Sequence, residues 1–497
     1  MGKNTTAVII GAGVGGLTTA VYLAREGFKV SVYEKNPSPG GRCGQIIRDG
    51  YRFDLGATMI LMPGIYNEVF GSLNISLEQG KDIIPLENLY RIWFDDNSFL
   101  DFTSDREKMK EQLERIEPGS YEKSNEYVEK GYEIFTSSMT KLINRNFYNL
   151  FQLVNLRNIP FLLKIKAFTP HFRYAERFFR HPHLLMAYTF QNIYVGQSPF
   201  DSPALFSMVP ATELTEGSFF PSRGGLYTVP QKLYEAAIAE GVDFHFGKPV
   251  KKIRLEGKKA KGIIFEDGTQ ADADIVIANA DLPYVYRELL PDKSMSRHID
   301  SLKYSCSAIC FHWGMDKKFT RLDHHNVFLS DAFRHGLDRI FRDKLVSDEP
   351  SFYIHAPVRS DPSAAPAGCD ALSVIVAAGH IDPQYKQDWD EVVKKTRVAV
   401  IARLKKLGLE DFEDHILTEI SLTPVNWENS CNISRGSVFG SLGHNILQMG
   451  YFRPHNRHDK YSNLYFVGGS THPGNGIPNV LISAKLVSER IIKESQP

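Results

Sequence analysis

The first apolar run in this chain is short and unbroken: Ala7-Val8-Ile9-Ile10, ending at a glycine. Such a brief, β-branched run with no polar alternation predicts a strand buried on both faces, as in a parallel sheet. Leu17 to Glu26 then has helical composition, and Gly27 supplies a C-terminal stop. Lys29 to Tyr33 predicts a second strand that ends on Glu34, and Tyr51 to Phe53 a third. The next comparable pattern comes much later. Val250 and Ile253, Gly262 to Phe265, the Asp267-Gly268 turn and Ala273 to Ala278 read as a hairpin followed by another buried strand. Ser307 to Trp313 and Ala371 to Ala378 are further apolar strands, with a helix over about 389–407. Asn463 to Val467 is the last strand, before a helix running through Ile491. Residues 86–219 read as helical, broken at Pro160, Pro170 and Pro182.

This order predicts an α/β protein. A Rossmann-like, doubly wound dinucleotide-binding domain would be assembled discontinuously from residues 1–85, 220–300 and 440–497. Residues 86–219 would form a helical cap over its entrance, and residues 301–439 a mixed-sheet substrate domain.

Composition narrows the classes. Lys plus Arg equals Asp plus Glu at 58 each, which gives nucleic acid no electrostatic footprint. Aromatics make up 12% of the chain, enough to expect large apolar surfaces inside it or at an interface. The five cysteines are scattered without zinc spacing, as in a reduced, cytoplasmic protein, and Cys306 and Cys310 are expected as core thiols. His324-His325 and the pair His455 and His458 have no acid or cysteine at ligand spacing. They are expected to be surface or hydrogen-bonding groups, with no metal bound. The start of the chain shows no leader pattern, and no apolar stretch reaches the roughly 18 residues of a spanning helix.

The chemistry begins at Gly11-Ala12-Gly13-Val14-Gly15-Gly16, a GxGxxG between strand and helix. Gly11 permits the tight turn, Gly13 lets the backbone approach a pyrophosphate, and Gly16 lets helix and strand pack closely. The phosphates would sit on free amides at the helix N-terminus. Glu34, 23 positions after Gly11, is placed to accept hydrogen bonds from the adenosine ribose, with Lys35 beside it. This constellation points to a dinucleotide without choosing between NAD and FAD.

The segments C-terminal to Glu34 resemble those of the glutathione-reductase-type flavoproteins. Pro39-Gly40-Gly41-Arg42 matches their glycine–arginine loop, which implies that Arg42 neutralises the FAD pyrophosphate. Asp54-Leu55-Gly56-Ala57, with Thr58 next, is similar to the segment that carries the chain under the isoalloxazine. The unit from Val250 to Asn279 and Asp281 resembles the one that returns to the FAD domain, with the backbone near Val250 on the adenine. The stretch Gly468-Gly469-Ser470-Thr471-His472-Pro473-Gly474-Asn475-Gly476-Ile477-Pro478 resembles the carboxy-terminal signature of the bacterial-type carotenoid (phytoene) desaturases. So do Phe452-Arg453-Pro454-His455-Asn456-Arg457, Phe220-Pro221 and Gly224-Gly225, in order along essentially the whole chain. The resemblance implies FAD, a long polyene substrate and removal of two hydrogens to form a conjugated double bond, with oxygen or a membrane quinone as electron acceptor. One departure stands out. Some members carry an acid and an arginine three residues apart as proposed acid–base groups, and Asn149 and Gln152 occupy those positions here. Neither is a base at neutral pH. The catalytic base is therefore unassigned, and a 1-hydroxycarotenoid 3,4-desaturase, an isomerase or an oxidase stays open within the family. Outside it, an amine oxidase and a non-catalytic carrier of isoprenoid-modified proteins share the fold.

Residues 145–181 interleave nine aromatics with seven Lys and Arg against the single acid Glu176. That pattern suits a segment lying on the inner face of an anionic membrane, and equally a helical subdomain with a buried aromatic side. A substrate confined to the bilayer favours a peripheral membrane protein.

Overall fold

In the computed structural model, which describes residues 5–495, Thr6–Ile10 is the middle strand of a five-stranded parallel sheet. The order is Leu464–Phe466, Ile275–Ala278, Thr6–Ile10, Lys29–Tyr33, Asp243–His245. Ala7 and Ile9 pack toward the helices Val14–Arg25, Thr228–Ala239 and Ile477–Ser495. Val8 and Ile10 face the other way, onto Val250–Glu256 and Lys259–Phe265, which with Gln270–Asp272 form an antiparallel meander. Each face thus has its own cover, which explains the run without polar alternation. The second face carries strands where a doubly wound sheet would carry helices. Asp267-Gly268 is the turn within that meander, as its sequence predicts.

A second, seven-stranded sheet runs Ile416–Leu422, Ser307–Met315, Asp370–Ala378, Phe352–His355, His325–Phe328, Asn88–Trp93, Phe99–Thr103. Its last two strands come from the stretch read as helical. Arg91 interrupts the apolar pattern there, and the hairpin neutralises it across the strands, with bonds of 2.6 and 3.0 Å to the two carboxylate oxygens of Asp101. The charge is half-buried in a bidentate pair.

Helices Arg106–Ile116, Ser120–Ser138 and Met208–Glu216 make up much of the rest of residues 86–219. The prolines there open helices instead of ending them. Pro160 and Pro182 lie in the first turns of Ile159–Lys164 and Pro182–Ala187, and Pro170 precedes His171–Ala175. Cys306 and Cys310 are buried free thiols.

Candidate active site

The glycine loop is closed from three sides. The Gly11 N–H donates to the Tyr33 carbonyl at 2.8 Å, Gly40 N–H to the Ala12 carbonyl at 2.9 Å, and Asn279 Nδ2 to the Gly11 carbonyl at 3.3 Å. A Cβ on Gly16 would collide with the Gly11 carbonyl oxygen, and one on Gly13 would lie 2.9 Å from the Asn279 amide nitrogen. Helix Val14–Arg25 starts at Gly13 with no side-chain cap, so its first amides are open to an anionic ligand. Glu34 has a second task beyond the one expected. Its two carboxylate oxygens accept from the N–H groups of Ala12 and Asn36 at 2.8 and 2.9 Å, fixing the loop it follows. Lys35 donates to the Asn429 carbonyl and Asn432 Oδ1 at 2.6 and 2.7 Å, and burial lowers its pKa.

Gly41 turns with φ of 55°, and Arg42 donates to the Val438 carbonyl at 2.8 Å. A Cβ on Gly56 would run into the Arg42 carbonyl oxygen, so Leu55-Gly56-Ala57 lies tight against the Arg42 turn. Asp281 accepts from the Ser434 N–H at 3.0 Å, and burial raises its carboxyl. Gly468 and Gly469 lie at the end of the last strand, a Cβ on Gly469 falling 2.9 Å from Arg42 Nη2. The final helix opens at Ile477-Pro478, just after Gly476.

These segments enclose one cavity of about 620 Å³. Gly11, Gly13, Glu34, Lys35, Gly41, Arg42, Gly56, Ala57, Thr58, Val250, Asn279, Asp281, Gly468, Gly469, Gly476, Ile477 and Pro478 line it. Gly16 lies beneath the loop, where it sets the helix–strand spacing. Beyond Thr58 the cavity continues between Phe190, Tyr194, Phe206, Val209 and Phe352 toward the helix Phe333–Phe341.

The description "Flavin containing amine oxidoreductase" belongs to the family whose profile matches residues 14–492. The chain belongs to this family. Its cofactor is FAD, and the uncapped helix start and close-packed glycine cradle fit that group. A zeta-carotene-forming phytoene desaturase of Myxococcus xanthus is 40% identical over 98% of this chain and 93% of its own length. A 4,4'-diapolycopene oxygenase of a Methylomonas species is 31% identical over 99% of both chains. Among solved structures, an oxidoreductase from Methanosarcina mazei superposes with a TM-score of 0.63 at 19% identity, covering 98% of this chain and 100% of its own. That likeness establishes a shared fold.

Asn149 and Gln152 stand away from the cavity, where they have a local task. Asn149 Oδ1 accepts from the Gln152 N–H at 3.2 Å, and Gln152 Oε1 accepts from the Tyr148 N–H at 2.8 Å, so both side chains cap a single exposed turn. Alanine at either position is expected to leave kcat/KM within about threefold of the parent chain. A hundredfold loss in steady-state kinetics would contradict that placement.

The buried polar groups that the sequence does not single out lie beside the cavity. Glu213 Oε2 accepts from the Tyr90 hydroxyl at 2.9 Å, and Gln191 Nε2 donates to the same hydroxyl at 2.8 Å. Burial pushes the Glu213 carboxyl up to about 8, so it is neutral at pH 7. Its folded value is higher than the ordinary 4.5, so its stabilising contribution is complete below that pH and is lost as pH rises through about 8. The parent protein's Tm is therefore expected to fall between about pH 5 and pH 8, and the slope to flatten in Glu213→Gln. Equal slopes in thermal melts of the two proteins would rule Glu213 out as the titrating group. His444 and His472 also line the cavity, and burial lowers both, His472 to about 4, so the wall presents them uncharged. Of the two roles expected for His324-His325, the structure shows hydrogen bonding, to Ser360 Oγ and the Tyr353 hydroxyl, and not a place at the surface. Both are buried, and the sheet brings His355 against them. Burial holds His324 down to about 3 and the other two well below the ordinary range.

Proposed function

We propose that this chain is an FAD-dependent carotenoid desaturase, which removes two hydrogens from a C–C single bond of a linear carotene and leaves a conjugated double bond. The observation that carries this reading is the apolar continuation of the cofactor cavity. Beyond Thr58 its walls are mostly aromatic and aliphatic, with the hydroxyls of Ser347 and Ser351 among them, and the carboxylate among the described residues lining that half is the exposed Glu349. A cationic amine would find no buried counter-ion there, whereas an extended polyene needs only apolar contact. The similarity to a zeta-carotene-forming phytoene desaturase supports the same substrate class.

FAD, when bound, supplies the hydride acceptor for this chemistry. The chain's own residues do the rest by placement. Phe190, Tyr194, Phe206 and Phe352 keep water from the reacting carbons and hold the polyene extended. Thr58, bonded to the Tyr353 hydroxyl at 2.8 Å, joins the cofactor loop to the sheet that backs the substrate. Oxygen or a membrane quinone takes up the electrons. Expression in a host that accumulates phytoene or lycopene tests the reading. More strongly conjugated pigments are expected, and unchanged pigments with every carotene supplied would defeat it. Products carrying new oxygen would instead favour an oxidase like the 4,4'-diapolycopene oxygenase to which the chain is similar.

We also infer peripheral attachment to the inner face of the membrane. No helix among the described residues is long and apolar enough to cross one. Of the nine aromatics in 145–181, Phe147, Phe161, Tyr174, Phe178 and Phe179 are buried. Phe151, Leu156 and Phe168 are 82%, 85% and 91% exposed, with Leu163 at 74%. Such an apolar surface, flanked by Arg157, Lys164 and Lys166, suits the headgroup boundary of an anionic bilayer. Behind it, Leu142, Leu205 and Met449 belong both to the core of this segment and to the cavity wall, a short route from bilayer to site. Deleting 145–181 would remove core side chains too, so substitution is the cleaner test. Phe151→Ser, Leu156→Ser and Phe168→Ser together are expected to lower sedimentation with anionic liposomes at least about tenfold while FAD stays bound. Undiminished sedimentation would sink the attachment site.

A further inference from the structure

His324, His325 and His355 form a cluster that the proposed reaction does not use. His325 opens the strand His325–Phe328, and His355 ends its antiparallel neighbour Phe352–His355, so the ladder sets them directly opposite each other. His324 precedes the strand, and its ring centroid lies 4.3 Å from that of His325 and 5.0 Å from that of His355. All three side chains are buried, and the Phe220 ring covers His324 and His355 at 4.6 and 5.2 Å.

The hydrogen bonds divide the nitrogens into two groups. Outward, His324 Nδ1 pairs with Ser360 Oγ at 2.7 Å and His325 Nδ1 with the Tyr353 hydroxyl at 2.6 Å. Inward, the Nε2 atoms of His324 and His355 face each other at 3.2 Å, and His325 Nε2 has no partner among the described residues. One nitrogen from each ring can be chosen so that all three lie within 4.8 Å of one another. An unpartnered buried nitrogen is costly, and an ion in the middle would take up His325 Nε2 together with the two nitrogens that now face each other.

We propose that His324, His325 and His355 bind one divalent transition-metal ion of the zinc class through their Nε2 atoms. Zinc–imidazole bonds of about 2.0–2.1 Å in tetrahedral geometry put ligand nitrogens about 3.3 Å apart. The His324–His355 pair is already at that spacing, and His325 has only to close inward. Ser360 and Tyr353 then act on the far nitrogens of His324 and His325, as partners behind metal-bound histidines commonly do, fixing the tautomer and direction of those two rings, while His355 Nδ1 has no partner among the described residues. Three imidazoles without carboxylate or thiolate favour zinc, copper or nickel over calcium or magnesium. The nearby guanidiniums are already matched, Arg52 with Asp361 at 2.5 Å and Arg359 with Asp370, so the ion would meet no unpaired cation from them. Through Tyr353 and Thr58 the ion would brace the cofactor cavity. Its role would be to fix structure, since Phe220 shuts the cluster in and its ligands do not line the cavity.

The test uses the tag-free, FAD-loaded chain, stripped with chelator, reloaded with zinc and freed of excess by gel filtration. Elemental analysis is expected to find about one zinc per chain, and zinc to raise the Tm. His325→Gln and His355→Ala are each expected to lose the zinc and the Tm response while retaining FAD. Should a variant fail to fold, zinc X-ray absorption of the parent chain decides, with a shell of three imidazole nitrogens at about 2.0 Å expected. No retained zinc in the parent, unchanged zinc in both folded variants, or a first shell with fewer than three imidazoles would overturn the site.

Discussion

Replacing Gly16 with valine is expected to lower the affinity for FAD at least tenfold, or about 1.4 kcal/mol or more. Even a single methyl at Gly16 would overlap the Gly11 carbonyl oxygen, and both partners are backbone. The helix Val14–Arg25 would have to move off the strand Thr6–Ile10, taking its open first-turn amides away from the phosphates. Gly71→Ala is the matching control. Gly71 lies inside the helix Pro63–Ser72 with nothing near its missing side chain, so alanine there should keep full FAD content. Flavin absorbance per chain after dialysis reads both. Full FAD in Gly16→Val would mean that the cofactor is not held at this loop.

The second large effect is expected at Arg453. Its side chain is completely buried and donates only to carbonyl oxygens: Thr471 at 2.8 Å, Gly469 at 2.7 Å, Gly443 and Gln448 at 3.3 Å, and Leu442 at 3.5 Å. It ties the segment 442–448 to the start of the glycine-rich loop that lines the cavity. Burial lowers its pKa to about 9, and the surrounding ring of carbonyls helps hold the cation in place. Arg453→Met preserves bulk and removes every donor, so a destabilisation of about 3–5 kcal/mol is expected. Arg453→Lys should recover only part of it, because an ammonium cannot reproduce the fork. Chemical denaturation measures both, and a change under about 1 kcal/mol in the methionine variant would contradict the bracing role.

The parts of this architecture that can be read from the sequence are those set by local rules. Lys29–Tyr33 begins and ends where its pattern says, and Gly11, Gly13 and Gly16 stand at the turn, the helix start and the helix–strand contact. The loop Gly468 to Pro478 is legible as a close-approaching backbone, and the structure sets it in the cavity wall. The illegible parts depend on residues distant in sequence. Among the described residues, Arg91 is matched only by Asp101, which reaches it across the hairpin. His355 joins His324 only through strand pairing, 31 positions away. Arg453 is visible as part of a motif, but its role depends on carbonyls from two other segments. Residues 145–181 show the right mixture of aromatics and cations without saying which face each takes, since the turns there are too short to impose a helical period.

Desaturation at the flavin is open to a single-turnover experiment under exclusion of oxygen. FAD-loaded protein is mixed with phytoene in liposomes, and the flavin and polyene absorbances are followed together. Oxidised-flavin absorbance is expected to fall in step with the appearance of a longer conjugated chromophore, one new double bond for each flavin reduced. A flavin that stays oxidised with phytoene and other acyclic carotenes, yet is reduced by a primary amine, would show that this chain is no carotenoid desaturase.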